Sequence, residues 1–298
     1  MLLGSIEFKN DNVICAISDF KMNLKDKFQI PLTSPSQTFN EIIKYFNQFD
    51  DLKAVGFSSF GPIELRTASP KYGYLLDTTR EGWSNINLLG TLSYYLNVPM
   101  TFTTDVNSEA YGKYIESVFS NKPIYSLVYY SIGNGIGAGI INNGKFVGYN
   151  GSSEIGHIYP KKDSYDQDFS GTCLYQGDCL EGLVADPSFK ARFDKPSTEI
   201  SMLNPVWKAI ANYLAQSIIQ STLFIRPDKI VINSSMINQI ELDKIKEQFK
   251  STFNNYLNVG NIDDYIQLEE KSGDDLSITG NISLAKKKFF ESAVIYNQ

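Results

Sequence analysis

Four glycines alternate through Gly133-Asn134-Gly135-Ile136-Gly137-Ala138-Gly139, and strand-forming sequence flanks the run on both sides. Leu127–Ile132, before it, is rich in β-branched and aromatic residues. Ile140–Phe146, after it, contains Asn142-Asn143-Gly144, a hairpin-turn signal. A loop of this composition lets backbone N–H groups approach a phosphate with no Cβ in the way. The P-loop and the dinucleotide-binding fold both need strand, loop and then helix. Here the loop joins strand to strand, so the run points to phosphate chemistry of another architecture and away from a nicotinamide enzyme. An ordinary glycine-rich hairpin is the competing reading.

A chain of 298 residues can bury a large core and form two domains. The net charge of −6 and a pI near 5.0 give no electrostatic footprint for nucleic acid or an anionic membrane. No apolar run approaches the roughly 20 residues that span a bilayer. The three cysteines are too few and too odd in number for a disulfide framework. The N-terminus has neither the basic nor the apolar region of a secretion signal, so a cytoplasmic enzyme is expected.

Strand and helix patterns alternate along the chain. Leu2–Glu7 and Val13–Ile17 read as a hairpin, and Lys53–Phe57, Met100–Thr103 and Lys229–Ile232 as further strands. Helices are predicted over Phe39–Phe49, Leu88–Leu96, Ser108–Phe119, Leu242–Leu257 and Ser283–Tyr296. Asn204-Pro205 signals the start of a long helix with Val206, Ile210, Leu214, Ile218 and Thr222 along one stripe. The predicted division is an α/β domain over residues 1–112, joined by a C-terminal helix at 283–298, and a second α/β domain over 113–282. An irregular, polar excursion is expected near 159–177.

Two further features carry chemistry. Asp105 stands where a strand ends and a helix begins, where ligands collect in open α/β sheets. There it either accepts a proton from an attacking hydroxyl or caps the helix. His157 is the only histidine, and Cys173 and Cys179 follow it. These three offer ligands for a tetrahedral zinc site. No obvious fourth ligand accompanies them: Gln176 is a poor donor, and Asp178 is the other candidate. Two free thiols beside a hydrogen-bonded histidine would look the same in sequence.

The motifs in order are Gly4-Ser5-Ile6-Glu7, Ser59-Phe60-Gly61-Pro62-Ile63, Thr104-Asp105-Val106-Asn107, the glycine run, Glu154-Ile155-Gly156-His157 and Gly177-Asp178-Cys179-Leu180-Glu181-Gly182. Together they resemble the bacterial fructokinases of the ROK (repressor, ORF, kinase) family, nearly end to end. The resemblance implies the two-domain actin-like fold of the hexokinase, actin and heat-shock ATPase class, with an interdomain cleft, and a homodimer. It implies ATP and Mg2+ as cofactors and a hexose, the ketohexose fructose, as substrate; Asp105 would be the general base. Asn107, Glu154, His157 and Glu181 would lie at the sugar. Gly133, Asn134, Gly135 and Gly137 would hold nucleotide phosphates. His157, Cys173 and Cys179 would ligate zinc.

Three departures oppose part of this reading. Where the family has Ala-Gly-Gly-Thr-Lys in its first phosphate loop, this chain has Phe8-Lys9-Asn10-Asp11-Asn12. Three glycines near the adenosine are replaced by Asn233-Ser234-Ser235. Gln176 stands in place of the fourth zinc ligand, a histidine, so zinc is expected to be weakly held or absent. Two functions therefore stand: an ATP-dependent fructokinase, weakened or not, and a non-catalytic relative that binds a hexose and acts as a sensor or interaction protein.

Overall fold

Apolar and polar residues alternate along Gly4–Phe8, yet all of them are buried, as expected of a strand covered on both faces. The computed structural model describes residues 1–9, 11–148 and 153–295. It divides the chain into two compact units, residues 1–123 with 146–152 and 271–298, and residues 124–145 with 153–270.

In the first unit, β1 (Leu2–Phe8) pairs antiparallel with β2 (Asn12–Asp19) and parallel with β4 (Leu52–Ser59). β3 (Leu24–Pro31) and β7 (Met100–Thr104) complete the order β3-β2-β1-β4-β7. A short pair, β5 (Tyr74–Leu75) and β6 (Ile86–Asn87), lies outside this sheet. One sheet face carries Ile6, Phe8, Val13, Cys15, Val55 and Phe57 into a core shared with residues of α1 (Pro35–Phe46) and α2 (Leu88–Leu96). β3 has no sequence signal because all but one of its residues are exposed. Its Lys25 and Lys27 suit an edge strand that must not pair with another chain.

The opposite face carries Leu3, Ile14 and Ala16, with Ser5, Glu7, Gly56 and Ser58 filling the alternate positions. These residues are small or polar, and α9 (Gly273–Ile295) packs directly on them. Asn281 Nδ2 donates to the Ile6 carbonyl at 3.1 Å and to Ser58 Oγ at 2.9 Å. The predicted C-terminal helix therefore begins ten residues earlier than Ser283. Gly273, Ser277, Thr279, Gly280 and Asn281 are weak helix formers, and tertiary packing overrides their propensity. The expected boundary near Gly112 falls inside α3 (Asp105–Val118), and the chain passes into the second unit after Pro123.

In the second unit, β8 (Ser126–Ile132), β9 (Ile136–Asn142), β10 (Lys145–Phe146), β11 (Lys229–Ser234) and β12 (Ile266–Leu268) form a sheet in the order β10-β9-β8-β11-β12. The β9–β10 turn, Asn143-Gly144, has both residues at positive φ, as a two-residue hairpin requires. The short helices α4 (Leu180–Val184) and α5 (Asp186–Phe193) precede α6 (Val206–Ile225). Asn204 Oδ1 accepts from the Val206 N–H at the start of α6, and all five residues of the predicted stripe are buried. Tyr130 on β8 is tied by its hydroxyl to Ser217 and Ser221 of α6. α7 (Gln239–Phe253) and α8 (Ile262–Tyr265) follow β11. No helix of the described residues is long and apolar enough to cross a membrane.

α3 and α9 approach so closely that a Cβ built on Gly112 would sit 2.0 Å from the Leu276 carbonyl oxygen, and one on Gly280 would sit 1.9 Å from that of Ser108. Gly280→Ala is expected to destabilise the chain by about 1–3 kcal/mol through overpacking, despite the better helix propensity of alanine. Denaturant titration checks this: a lower midpoint is expected, and an unchanged or higher one would show that the two helices can part cheaply.

Candidate active site

Strand β7 ends at Thr104, whose Oγ1 accepts the Asn107 N–H at 3.1 Å and so caps α3. Asp105 is therefore the first helical residue, and the capping role considered for it belongs to Thr104. The freed Asp105 side chain is half-buried, with Oδ1 accepting from the Val106 N–H at 2.8 Å. Burial raises its pKa above the usual carboxylate range, opposed by that N–H and by the charge of Lys9. Asn107 is fully buried, and its Nδ2 donates to Thr103 Oγ1 at 3.0 Å.

Sequence reasoning treated Glu7 and Lys9 only as parts of a motif. The structure makes them a pair. Glu7 is fully buried at the end of β1, where Ser277 Oγ donates to its Oε2 and Lys9 Nζ lies 3.5 Å from its Oε1. Lys9 also meets Asp274 at 2.6 Å. Burial pushes the Glu7 carboxyl up to about 8. The available signal was a carboxylate inside a strand that is otherwise a core strand. Phe8, the first residue of the altered phosphate loop, is a core residue packed on Phe39, Phe57 and Trp83. Asp11 is almost fully exposed and faces Arg80 at 3.6 Å.

The other expected residues lie in the second unit. Ile132 pairs with Ile136, so Gly133-Asn134-Gly135 is the loop of the β8–β9 hairpin, while Gly137 and Gly139 lie in the ladder opposite Ser131 and Tyr129. Glu181, on α4, accepts the Ile136 N–H through Oε2 at 2.9 Å. A Cβ on Gly135 would sit 2.9 Å from that same oxygen, so this glycine makes room for the carboxylate. A Cβ on Gly133 would meet nothing within 4 Å, so packing does not account for that glycine. The Asp186 N–H donates to the Gly133 carbonyl at 2.9 Å and ties the loop to α5. Glu154 is exposed, and its carbonyl accepts the His157 N–H across a 3-10 turn, Ile155–His157. The Ile158 carbonyl accepts the Leu180 N–H, which joins this segment to α4. At the end of β11, Ser234 Oγ accepts the N–H groups of Met236 and Ile237 and braces the turn where the family has glycines.

His157, Cys173 and Cys179 converge. Their ligand atoms lie within 4.8 Å of one another, and His157 Nδ1 is 3.7 Å from each sulfur. Zn–S bonds of about 2.3 Å and a Zn–N bond of about 2.1 Å at tetrahedral angles place nitrogen and sulfur about 3.6 Å apart, so the donors fit zinc. One imidazole nitrogen has a single proton or a single lone pair, so it cannot hydrogen-bond well to both sulfurs at once. Asp178 is turned toward Lys162 at 3.2 Å and is not in the cluster.

Residues 4–288 match the ROK family. The chain belongs to this family. A fructokinase of Streptococcus mutans is 39% identical over 290 residues, which cover 96% of this chain and 98% of that protein. A fructokinase of Lactococcus lactis subsp. cremoris is also 39% identical over 290 residues, covering 96% and 97%. Among solved structures, the ROK hexokinase from Thermus thermophilus superposes with a TM-score of 0.78 at 14% identity, covering 98% of this chain and all of that one. The α/β, actin-like fold class expected from the motifs is the fold of the ROK chain described above.

The raised pKa of Glu7 makes a test of the first-unit cluster. Its folded value of about 8 exceeds its ordinary 4.5, so folding favours the protonated form. The stability this contributes is complete below the ordinary value and is lost as pH rises through the folded one. Glu7→Gln keeps the shape and stays neutral, so the fall in thermal midpoint between about pH 4.5 and about pH 8 should shrink. An unaltered midpoint-against-pH curve in the variant would show that Glu7 does not titrate there.

Proposed function

We propose that this protein is an ATP-dependent fructokinase that transfers the γ-phosphoryl group of Mg-ATP to the 6-hydroxyl of fructose. The observation that carries this is Asp105: a half-buried carboxylate at the carboxyl end of a strand, freed from capping by Thr104, with a raised pKa. Relatives named fructokinase, matched over nearly their whole length, support the substrate class.

Asp105 takes the proton of the sugar hydroxyl as its oxygen attacks the γ-phosphorus, and the O–P bond to the leaving ADP breaks. Asn107 holds the sugar near that carboxylate. Glu154, His157 and Glu181 bind hexose hydroxyls, Glu181 through the oxygen not taken by Ile136. His157 turns Nδ1 to the thiols, which leaves Nε2 for the sugar. Gly133, Asn134 and Gly135 meet phosphate oxygens at the hairpin tip, where the space beside Gly133 admits a ligand, and Gly137 supports the tip from the ladder. If zinc is bound, it supplies structural order around the excursion and takes no part in phosphoryl transfer. The enzyme acts in the cytoplasm as a homodimer, as the family resemblance implies. The non-catalytic alternative is not favoured, because the base and the glycine hairpin are both intact.

Fructose and Mg-ATP should yield fructose 6-phosphate. The rate should rise with pH along a limb above the ordinary carboxylate range, because only the ionised base accepts a proton. Asp105→Asn should cut kcat by about 10²- to 10⁴-fold and remove that limb, with fructose affinity by calorimetry unchanged. Equal turnover in variant and parent would exclude Asp105 as the base. Fructose binding without Mg-ATP binding in the parent would restore the non-catalytic reading.

A further inference from the structure

We propose that Gln176 supplies the fourth ligand of a tetrahedral divalent-metal site, through its side-chain carbonyl oxygen, together with His157, Cys173 and Cys179. The site would be suited to zinc.

The local fold shields this side chain while its neighbours face solvent. The Cys173 N–H donates to the Gly177 carbonyl at 3.1 Å, and the Gly177 N–H donates back to the Cys173 carbonyl at 2.9 Å. This closes a tight loop of Leu174, Tyr175 and Gln176, with Gly177 at positive φ. Leu174 and Tyr175 are each 89% exposed, whereas Gln176 is half-buried. Its Oε1 is shielded from solvent and has no hydrogen-bond partner. A buried carbonyl oxygen without a partner is destabilising, because it has lost its hydrogen bond to water. A cation beside Cys173, at the base of the same loop, offsets that loss. The other candidate, Asp178, is paired with Lys162.

The charge balance is unaltered by the exchange of histidine for glutamine. Metal binding forms two metal–sulfur bonds and releases the two thiol protons to solvent. Two thiolates neutralise a divalent ion, and the third and fourth ligands are neutral in either case. What differs is donor strength. An amide oxygen is a harder and weaker donor to zinc than an imidazole nitrogen, so the ion should be held, but less tightly than by a second histidine.

The test uses the full chain, reduced and stripped of metal. Co2+ should bind at one equivalent with the intense ligand-field absorption of a tetrahedral site, and Zn2+ should displace it. In chelator competition, Gln176→Ala should weaken zinc binding about 10-fold or more and shift the Co2+ spectrum. Gln176→His and Gln176→Glu, which place a stronger donor at the same point, should tighten it. The excursion keeps an anchor independent of the metal, since buried Asp166 is held by Arg192 at 2.7 Å and by the Tyr213 hydroxyl at 3.1 Å. The variants should therefore stay folded by circular dichroism. Affinity and spectrum unchanged in both the Ala and the Glu variants would mean that water is the fourth ligand, and would overturn the proposal. So would a parent chain that binds neither Co2+ nor Zn2+ with its thiols reduced. No readout involves phosphoryl transfer, so these outcomes leave the kinase assignment untouched.

Discussion

The first unit depends on how near α9 can come to its sheet. Beside Leu3 and Ile14, the face it covers is made of serine, glycine, alanine and one carboxylate, and a Cβ on Gly56 would sit 1.9 Å from the Asn281 carbonyl oxygen. That contact, like the one between Gly112 and Gly280, uses backbone where most helix–sheet interfaces use side chains. Asn281 and Ser277 fill the polar positions by bonding to Ile6, Ser58 and Glu7. The close fit shuts Glu7 away from water and draws Lys9 in beside it. It thereby sets the electrostatic surroundings of Asp105, since Lys9 lowers the Asp105 pKa while burial raises it.

The second unit is organised around a different constraint. Glu181 packs on the loop at Gly135, whose missing side chain leaves room for the carboxylate, and its bond to the Ile136 N–H fixes the loop against α4. The Leu180 N–H reaches the Ile158 carbonyl, so the same short helix places Cys179 beside His157. The glycine loop, the Glu181 carboxylate and the thiol cluster are thus held by a handful of bonds around one helix start. The proposed roles of these residues follow from that shared anchorage.

The altered segments also find physical accounts. Phe8 belongs to the aromatic core, so it cannot be exchanged for the smaller residue the family has there without opening a cavity. Ser234 braces a turn with its side chain where glycines would leave it loose. These replacements adjust support around the site without removing the residues proposed to act.

The strands with strong β-forming runs, the helix begun by Asn204 and Pro205, and the hairpin at the glycine run were legible because their signals are local. So was the convergence of His157, Cys173 and Cys179, since they stand close together in sequence and are ligand-forming residue types. Strand β3 was not legible, because an exposed edge strand shows no alternation of apolar residues. The first turns of α9 were not either, because Gly273, Thr279 and Gly280 disfavour a helix that only packing sustains. Tertiary structure alone decided that Thr104 caps α3 in place of Asp105, that half-buried Lys9 pairs with buried Glu7, and that Gln176 is shielded while its neighbours Leu174 and Tyr175 are exposed. Each of these depends on which groups lose water when distant segments meet, and sequence spacing carries no record of that.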